Sequence, residues 1–168
     1  NKGPIFSIWA ADLSTDLAKL RGLEQIMWDA YDRPEWLHKL LTLMRDAVLK
    51  NQNEAELSGD FSLLNHQNQC MPYSLELDPP KPGVYGVTRK NLWCFTAAQE
   101  FTTFGPDMFE EFMLSYQIPI MEKYGLCAYG CCEDLTKKIG LLRKISNLRR
   151  IAVSPFADLK KCSELIGS

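Results

Sequence analysis

Apolar residues recur along the chain in two rhythms. Leu17, Leu20, Leu23 and Ile26 follow at helical spacing after Ser14 and Thr15, both good N-caps, so a helix is expected there. A second helix opens at Asp32-Arg33-Pro34-Glu35. Proline suits its first turn, and Leu37, Leu40, Leu41, Met44 and Val48 form one stripe running to about Gln52 or beyond. Short apolar runs at Pro4–Ala10, Leu92–Ala97, Leu126–Tyr129 and Arg150–Val153 read as buried strands. Helices are expected from Gly105-Pro106-Asp107 onward (Phe109, Phe112, Met113, Tyr116, Ile120), across Asp134–Ile145, and after Asp158. Pro119 should kink or weaken the first of these. Residues 58–91 hold Gly59, Pro72, Pro79, Pro80, Pro82, Gly83 and Gly86, which exclude a long helix or central strand and predict an irregular connection.

Three strand–helix units in succession predict parallel strands joined by right-handed crossovers, an α/β fold in a single domain over 1–168. Chemistry in such folds gathers at the carboxyl ends of the strands. That rule selects Trp9 and Asp12, then Gln99 and Glu100, then Tyr129 with Cys131-Cys132-Glu133, and finally Ser154.

Composition narrows the function classes. The 168 residues carry 19 basic and 21 acidic side chains, so no global basic footprint for nucleic acid exists. No apolar run reaches the length of a membrane span. Six cysteines in a chain without an export signal are expected to be reduced, which points to the cytoplasm. Cys94, Cys127 and Cys162 are expected to be packing residues. Cys131 and Cys132 lie between a strand and an expected helix, whose dipole would lower a thiol pKa and favour the thiolate that binds zinc. Adjacent strand-end side chains point apart, so one ligand is expected, Cys131.

Glu100 directly follows an apolar strand. It is expected to ligate a metal, accept a proton, hold a substrate amine, or pair with Arg89, Arg149 or Arg150. His38 is expected at the surface and His66 in a solvated loop. Arg143-Lys144 and Arg149-Arg150 are expected on a solvated face. No glycine-rich phosphate loop, zinc-finger spacing or assignable Ser/His/Asp set occurs.

Phe104-Gly-Pro-Asp-Met-Phe-Glu-Glu-Phe112, Gly125-Leu-Cys-Ala-Tyr-Gly-Cys-Cys-Glu133 and Ile145-Ser-Asn-Leu-Arg-Arg-Ile-Ala-Val-Ser-Pro-Phe-Ala157 resemble the uroporphyrinogen decarboxylase superfamily, and within it the corrinoid-linked methyltransferase-like branch. Arg21-Gly-Leu-Glu24 and Met27–Trp36 resemble the segment before a barrel helix. The resemblance implies a (β/α)8 barrel of about twice this length. The chain would be its central and late part, and both ends read as cut edges. A partial barrel exposes sheet edges, so self-association is expected.

The resemblance further implies methyl transfer from a methyl-corrinoid, carried by a partner protein, to a thiol or similar small acceptor. In that branch zinc activates the acceptor, held by a His-x-Cys pattern. Tyr129-Gly130-Cys131 stands at that position and keeps only the cysteine. Cys131 and Glu100 are then the catalytic and zinc-ligating pair, with Trp9, Asp12, Gln99, Tyr129 and Ser154 around the substrate. The alternatives are metal-free decarboxylation of a tetrapyrrole and a non-catalytic barrel that binds a ligand or a corrinoid protein.

Overall fold

A computed structural model describes residues 12–66 and 74–166. The expected strand over Pro4–Ala10, together with Trp9 and Cys70, lies outside the described residues. The elements are α1 (Leu13–Arg21), α2 (Leu23–Asp32), α3 (Pro34–Leu57), β1 (Trp93–Thr96), α4 (Pro106–Phe109), α5 (Ser115–Met121), β2 (Leu126–Tyr129), α6 (Ile139–Leu142), β3 (Leu148–Ile151) and α7 (Leu159–Ile166). Single 3-10 turns cover Arg89–Asn91 and Gln99–Phe101.

The strands form one parallel sheet in the order β1-β2-β3, with Cys94 opposite Cys127 and Ala128 opposite Arg150. The expected α/β class and parallel pairing are present. Among the described residues no strand covers the outer side of β1 or of β3.

The helical layer starts from Asp12, which caps α1 by accepting the Thr15 N–H. The cap therefore sits ahead of Ser14 and Thr15, whose hydroxyls are used elsewhere. The expected single helix through Ile26 is split at Gly22, whose φ of 83° ends α1 and starts α2. In α3, Leu37, Leu41, Val48, Gln52 and Ala55 are buried at helical spacing. This helix packs on α5, which in turn touches β1. α4 and α5 are joined by a π turn over Glu110–Leu114. Pro119 lies just beyond it and cannot donate to the preceding turn.

Two expectations are corrected. Only Ile139–Leu142 of the Asp134–Ile145 run is helical. Asp134 accepts the Thr136 N–H and hydroxyl instead, the local turn that competes with a helix start. Strand β3 starts earlier, at Leu148, because Cys127 N–H pairs with the Asn147 carbonyl.

The described parts of the 58–91 connection are irregular and are pinned by specific bonds. Buried Arg89 donates to Glu56, Asn53 and Gln52 of α3. His66 is half-buried, unlike the solvated loop residue expected. Its Nδ1 accepts the Trp93 N–H at 3.0 Å and its Nε2 donates to the Asp78 carbonyl at 3.1 Å. Gly125 donates to the carbonyls of Arg89 and Leu92, an approach so close that a Cβ would sit 2.2 Å from the Lys90 oxygen.

Asp29 of α2 is fully buried beneath Arg21 and Arg33, with Gln25 as a third donor. Both guanidiniums stack on Trp36. The hydrogen bonds from Arg21, then Gln25 and Arg33, hold the Asp29 carboxyl at about 2 against burial, which pushes it up.

Two predictions follow from these contacts. Asp29→Ala leaves both arginines partly exposed and able to rehydrate, so it should cost about 1–3 kcal/mol in chemical denaturation at pH 7. The unfolded chain binds a proton at Asp29 first, so that contribution is present above pH 4 and is lost as the pH falls toward 2. For His66, burial pushes the pKa below its usual 6.5. The unfolded chain then protonates first, so stability is full above pH 6.5 and declines as the pH drops below it. Urea midpoints at pH 8 and pH 5 should differ less in His66→Gln than in the wild type; an equal difference rejects the assignment.

Candidate functional site

The carboxyl ends of β1 and β2 bring together residues from three parts of the chain. β1 runs out at Thr96, and Ala97 and Ala98 lead into the 3-10 turn that carries Gln99 and Glu100. β2 ends at Tyr129 and is followed by Gly130-Cys131-Cys132-Glu133. The start of α1 lies against the Gln99–Phe101 turn.

Glu100 meets none of the arginines proposed for it. Its Oε2 accepts the Ser14 hydroxyl at 2.6 Å and its Oε1 accepts the Thr15 hydroxyl at 2.9 Å. The same two hydroxyls lie 3.0 and 3.1 Å from the two carboxyl oxygens of Asp12. Arg89 and Arg149 are instead paired with Glu56 and Glu76.

The hydrogen count is informative. Two hydroxyls supply two hydrogens for four hydroxyl–carboxyl contacts. Both donate to Glu100 at the shorter distances, and the Asp12 oxygen that faces Ser14 also accepts the Thr15 N–H at 3.4 Å. Burial, and to a lesser degree the nearby Glu100, push the Asp12 carboxyl above its usual value, against the hydrogen bonds from Ser14 and Thr15. Asp12 and Glu100 thus share the hydroxyls of Ser14 and Thr15.

Glu133, placed by its sequence position at the end of β2 but given no role there, has a structural one. It is almost fully buried. One oxygen accepts the Ala98 N–H at 2.9 Å and the other the Cys131 N–H at 3.0 Å. Gly130 makes this possible. Its φ is 101°, and a Cβ there would lie 2.6 Å from the Ala152 oxygen. Lys138, also buried, donates to the Phe101 carbonyl at 2.7 Å. Burial pushes its pKa down, while Glu133 and Asp134 pull it back.

Tyr129 is fully buried below this face. Its hydroxyl donates to Gln117 at 2.8 Å, and Gln117 donates to Thr96 and to the Ala97 carbonyl. Burial, then the charges of Glu133 and Asp12, keep its phenol protonated. Tyr129 therefore supports the face from within. Gln99 is exposed at the end of β1. Ser154 is buried, and its hydroxyl accepts the Phe156 N–H, so it builds the turn after β3. His38 lies away from this face, between Tyr116 at 2.7 Å and Glu111 at 3.1 Å.

Cys131 departs from the expected chemistry. Residues 131–138 form turns with no helix start, so no dipole acts on the thiol. Burial and the neighbouring Cys132 push its pKa up to about 11. The two Sγ atoms are 3.6 Å apart. As expected, Cys94, Cys127 and Cys162 are buried.

A catalytic zinc takes three protein ligands. Among the described residues no group of three or more His, Cys, Asp or Glu side chains is placed to hold a metal. Cys131 and Glu100 supply two donors, and both Glu100 oxygens already accept hydroxyls. The described side chains do not make up a zinc site by themselves.

Comparison with protein-family models, curated proteins and solved structures gave no match. Among the described residues no helix is long and apolar enough to cross a membrane.

Glu133→Ala strands two N–H groups, each costing about 1–3 kcal/mol if left unpaired. Glu133→Gln retains a carbonyl acceptor and should lose less. Denaturant titration giving equal losses for the two variants would contradict this account of the clamp.

Proposed function

We propose that the chain is part of a (β/α)8 barrel enzyme of the uroporphyrinogen decarboxylase type. In this reading the strand-end face transfers a methyl group from a methyl-corrinoid, carried by a partner protein, to a thiol or similar small acceptor. The sequence resemblance supports the family. The observation that carries the choice of reaction is the charge of the face. Asp12, Glu100 and Glu133 stand there, and the cation beside Glu133, Lys138, is committed to a backbone carbonyl. A tetrapyrrole bearing several carboxylates needs cations to hold it, whereas an acceptor that must lose a proton needs a base.

A methyl-corrinoid, when bound, supplies an electrophilic methyl group. Glu100 takes the proton from the acceptor, and its orientation is fixed by Ser14 and Thr15. Burial favours the protonated form of Asp12, which limits the negative charge beside Glu100. Cys131 borders the acceptor, Gln99 contacts it from the exposed end of β1, and Tyr129 and Ser154 hold the floor and rim. Zinc, which the resemblance implies, would find Cys131 and Glu100 and would have to recruit further donors.

The test is spectroscopic turnover of methylcobalamin with a small thiol, with metal content measured on the same sample. The wild type should consume the methyl-corrinoid, and Glu100→Gln should lower the rate by about 10²–10⁴-fold, the usual share of a positioned acid–base group. Decarboxylation of a tetrapyrrole without corrinoid turnover would overturn the reading in favour of the decarboxylase.

A further inference from the structure

The loop after β2 presents two thiols side by side. Successive side chains on an extended strand point to opposite faces, yet Cys131 Sγ and Cys132 Sγ are 3.6 Å apart. The bend that turns them together starts at Gly130, with its φ of 101°. It is closed by Glu133, which accepts the Cys131 N–H. The loop is therefore held by the Gly130 bend and the Glu133 carboxylate, and neither a disulfide nor a metal is needed to bring the sulfurs together. Cys132 is exposed and Cys131 half-buried, so the pair opens to solvent.

Two sulfurs at this separation suit a particular kind of centre. Bonds of about 2.3 Å, the length thiolates take at zinc, would enclose about 103° at an atom bound to both. That angle fits a pyramidal, three-coordinate atom. A tetrahedral metal needs more protein donors, and among the described residues the thiols are not part of a group of three or more ligating side chains. An organoarsenic(III) compound brings its own third substituent and requires only two thiols.

We propose that Cys131 and Cys132 form a dithiol binding site for a monosubstituted trivalent arsenical, R–As(OH)₂. Two As–S bonds form and two As–O bonds break. The two thiol hydrogens leave with the hydroxides as two waters, and arsenic stays trivalent, so no oxidant or reductant takes part. Cys94 and Cys127 also face each other across β1 and β2, but both are fully buried in the core and closed to such a reagent.

Phenylarsine oxide, which hydrates to this form, is the probe, and intact-protein mass is the readout. The full chain should keep one adduct in excess 2-mercaptoethanol and release it to 2,3-dimercaptopropanol. Holding one centre by two linked thiols gains about 10²–10⁴-fold over a single thiol. Cys131→Ser and Cys132→Ser should each lose retention by that factor, and Cys94→Ala should keep it. Cys132 is at the surface, so its serine variant reports even if Cys131→Ser folds poorly. The absence of a monothiol-resistant adduct on the wild type overturns the proposal. So does an adduct that persists in Cys132→Ser. The assay needs no turnover, so it stands or falls separately from the methyl-transfer reading.

Discussion

Two backbone N–H groups, one just past β1 and one just past β2, share a single buried carboxylate, and the strand-end face is built around that contact. Glu133 reaches Ala98 with one oxygen and Cys131 with the other. The first bond sets where the chain turns toward Glu100. The second sets the bend that carries the two thiols. A buried carboxylate is tolerable because both oxygens accept N–H donors and a buried ammonium, Lys138, lies close enough to feel its charge. Gly130 is the steric condition for the clamp, since a side chain there would run into the carbonyl of Ala152.

The acids of the molecule are managed in two different ways. In the helical layer Asp29 is neutralised by Arg21 and Arg33 and remains ionised down to about pH 2. At the strand ends, among the described residues, hydroxyls and no guanidinium answer Asp12 and Glu100. Hydroxyls stabilise an anion less than a paired cation, and burial then drives Asp12 toward its protonated form. The same chemical group is paired with cations in one place and held by hydroxyls in the other. The uncharged chain of Tyr129, Gln117 and Thr96 beneath the face adds rigidity without adding charge.

The pinning of the 58–91 connection serves the sheet. Arg89 bolts it to α3, and His66 occupies the first N–H of β1. A parallel sheet of three four-residue strands exposes backbone groups along its margins, and a neutral histidine is one means of satisfying such a donor. This links the described parts of the segment to the protonation of His66, which burial pushes below its usual 6.5.

Much of the fold was legible along the chain because it rests on periodicity. The stripe Leu37–Val48, the proline at the start of α3 and the apolar runs at 93–96 and 126–129 each determine an element locally, and their alternation implies parallel strands. The Asp134–Ile145 stripe misled for a local reason, because Asp134 bonds its own turn more readily than it starts a helix. Glu100 and Cys131 were legible as strand-end residues. Their surroundings were not, because the groups within a few ångströms come from distant positions, as Ser14 and Thr15 do for Glu100. The sequence by itself determined most of the described elements, their parallel arrangement and the end of the sheet where acids and thiols collect. Only the tertiary structure decided that the Cys131 thiol is held protonated, that two hydroxyls join Asp12 to Glu100, and that Glu133 fastens the two strand ends. Burial and hydrogen bonding set those states, and neither is encoded in the spacing of residues along the chain.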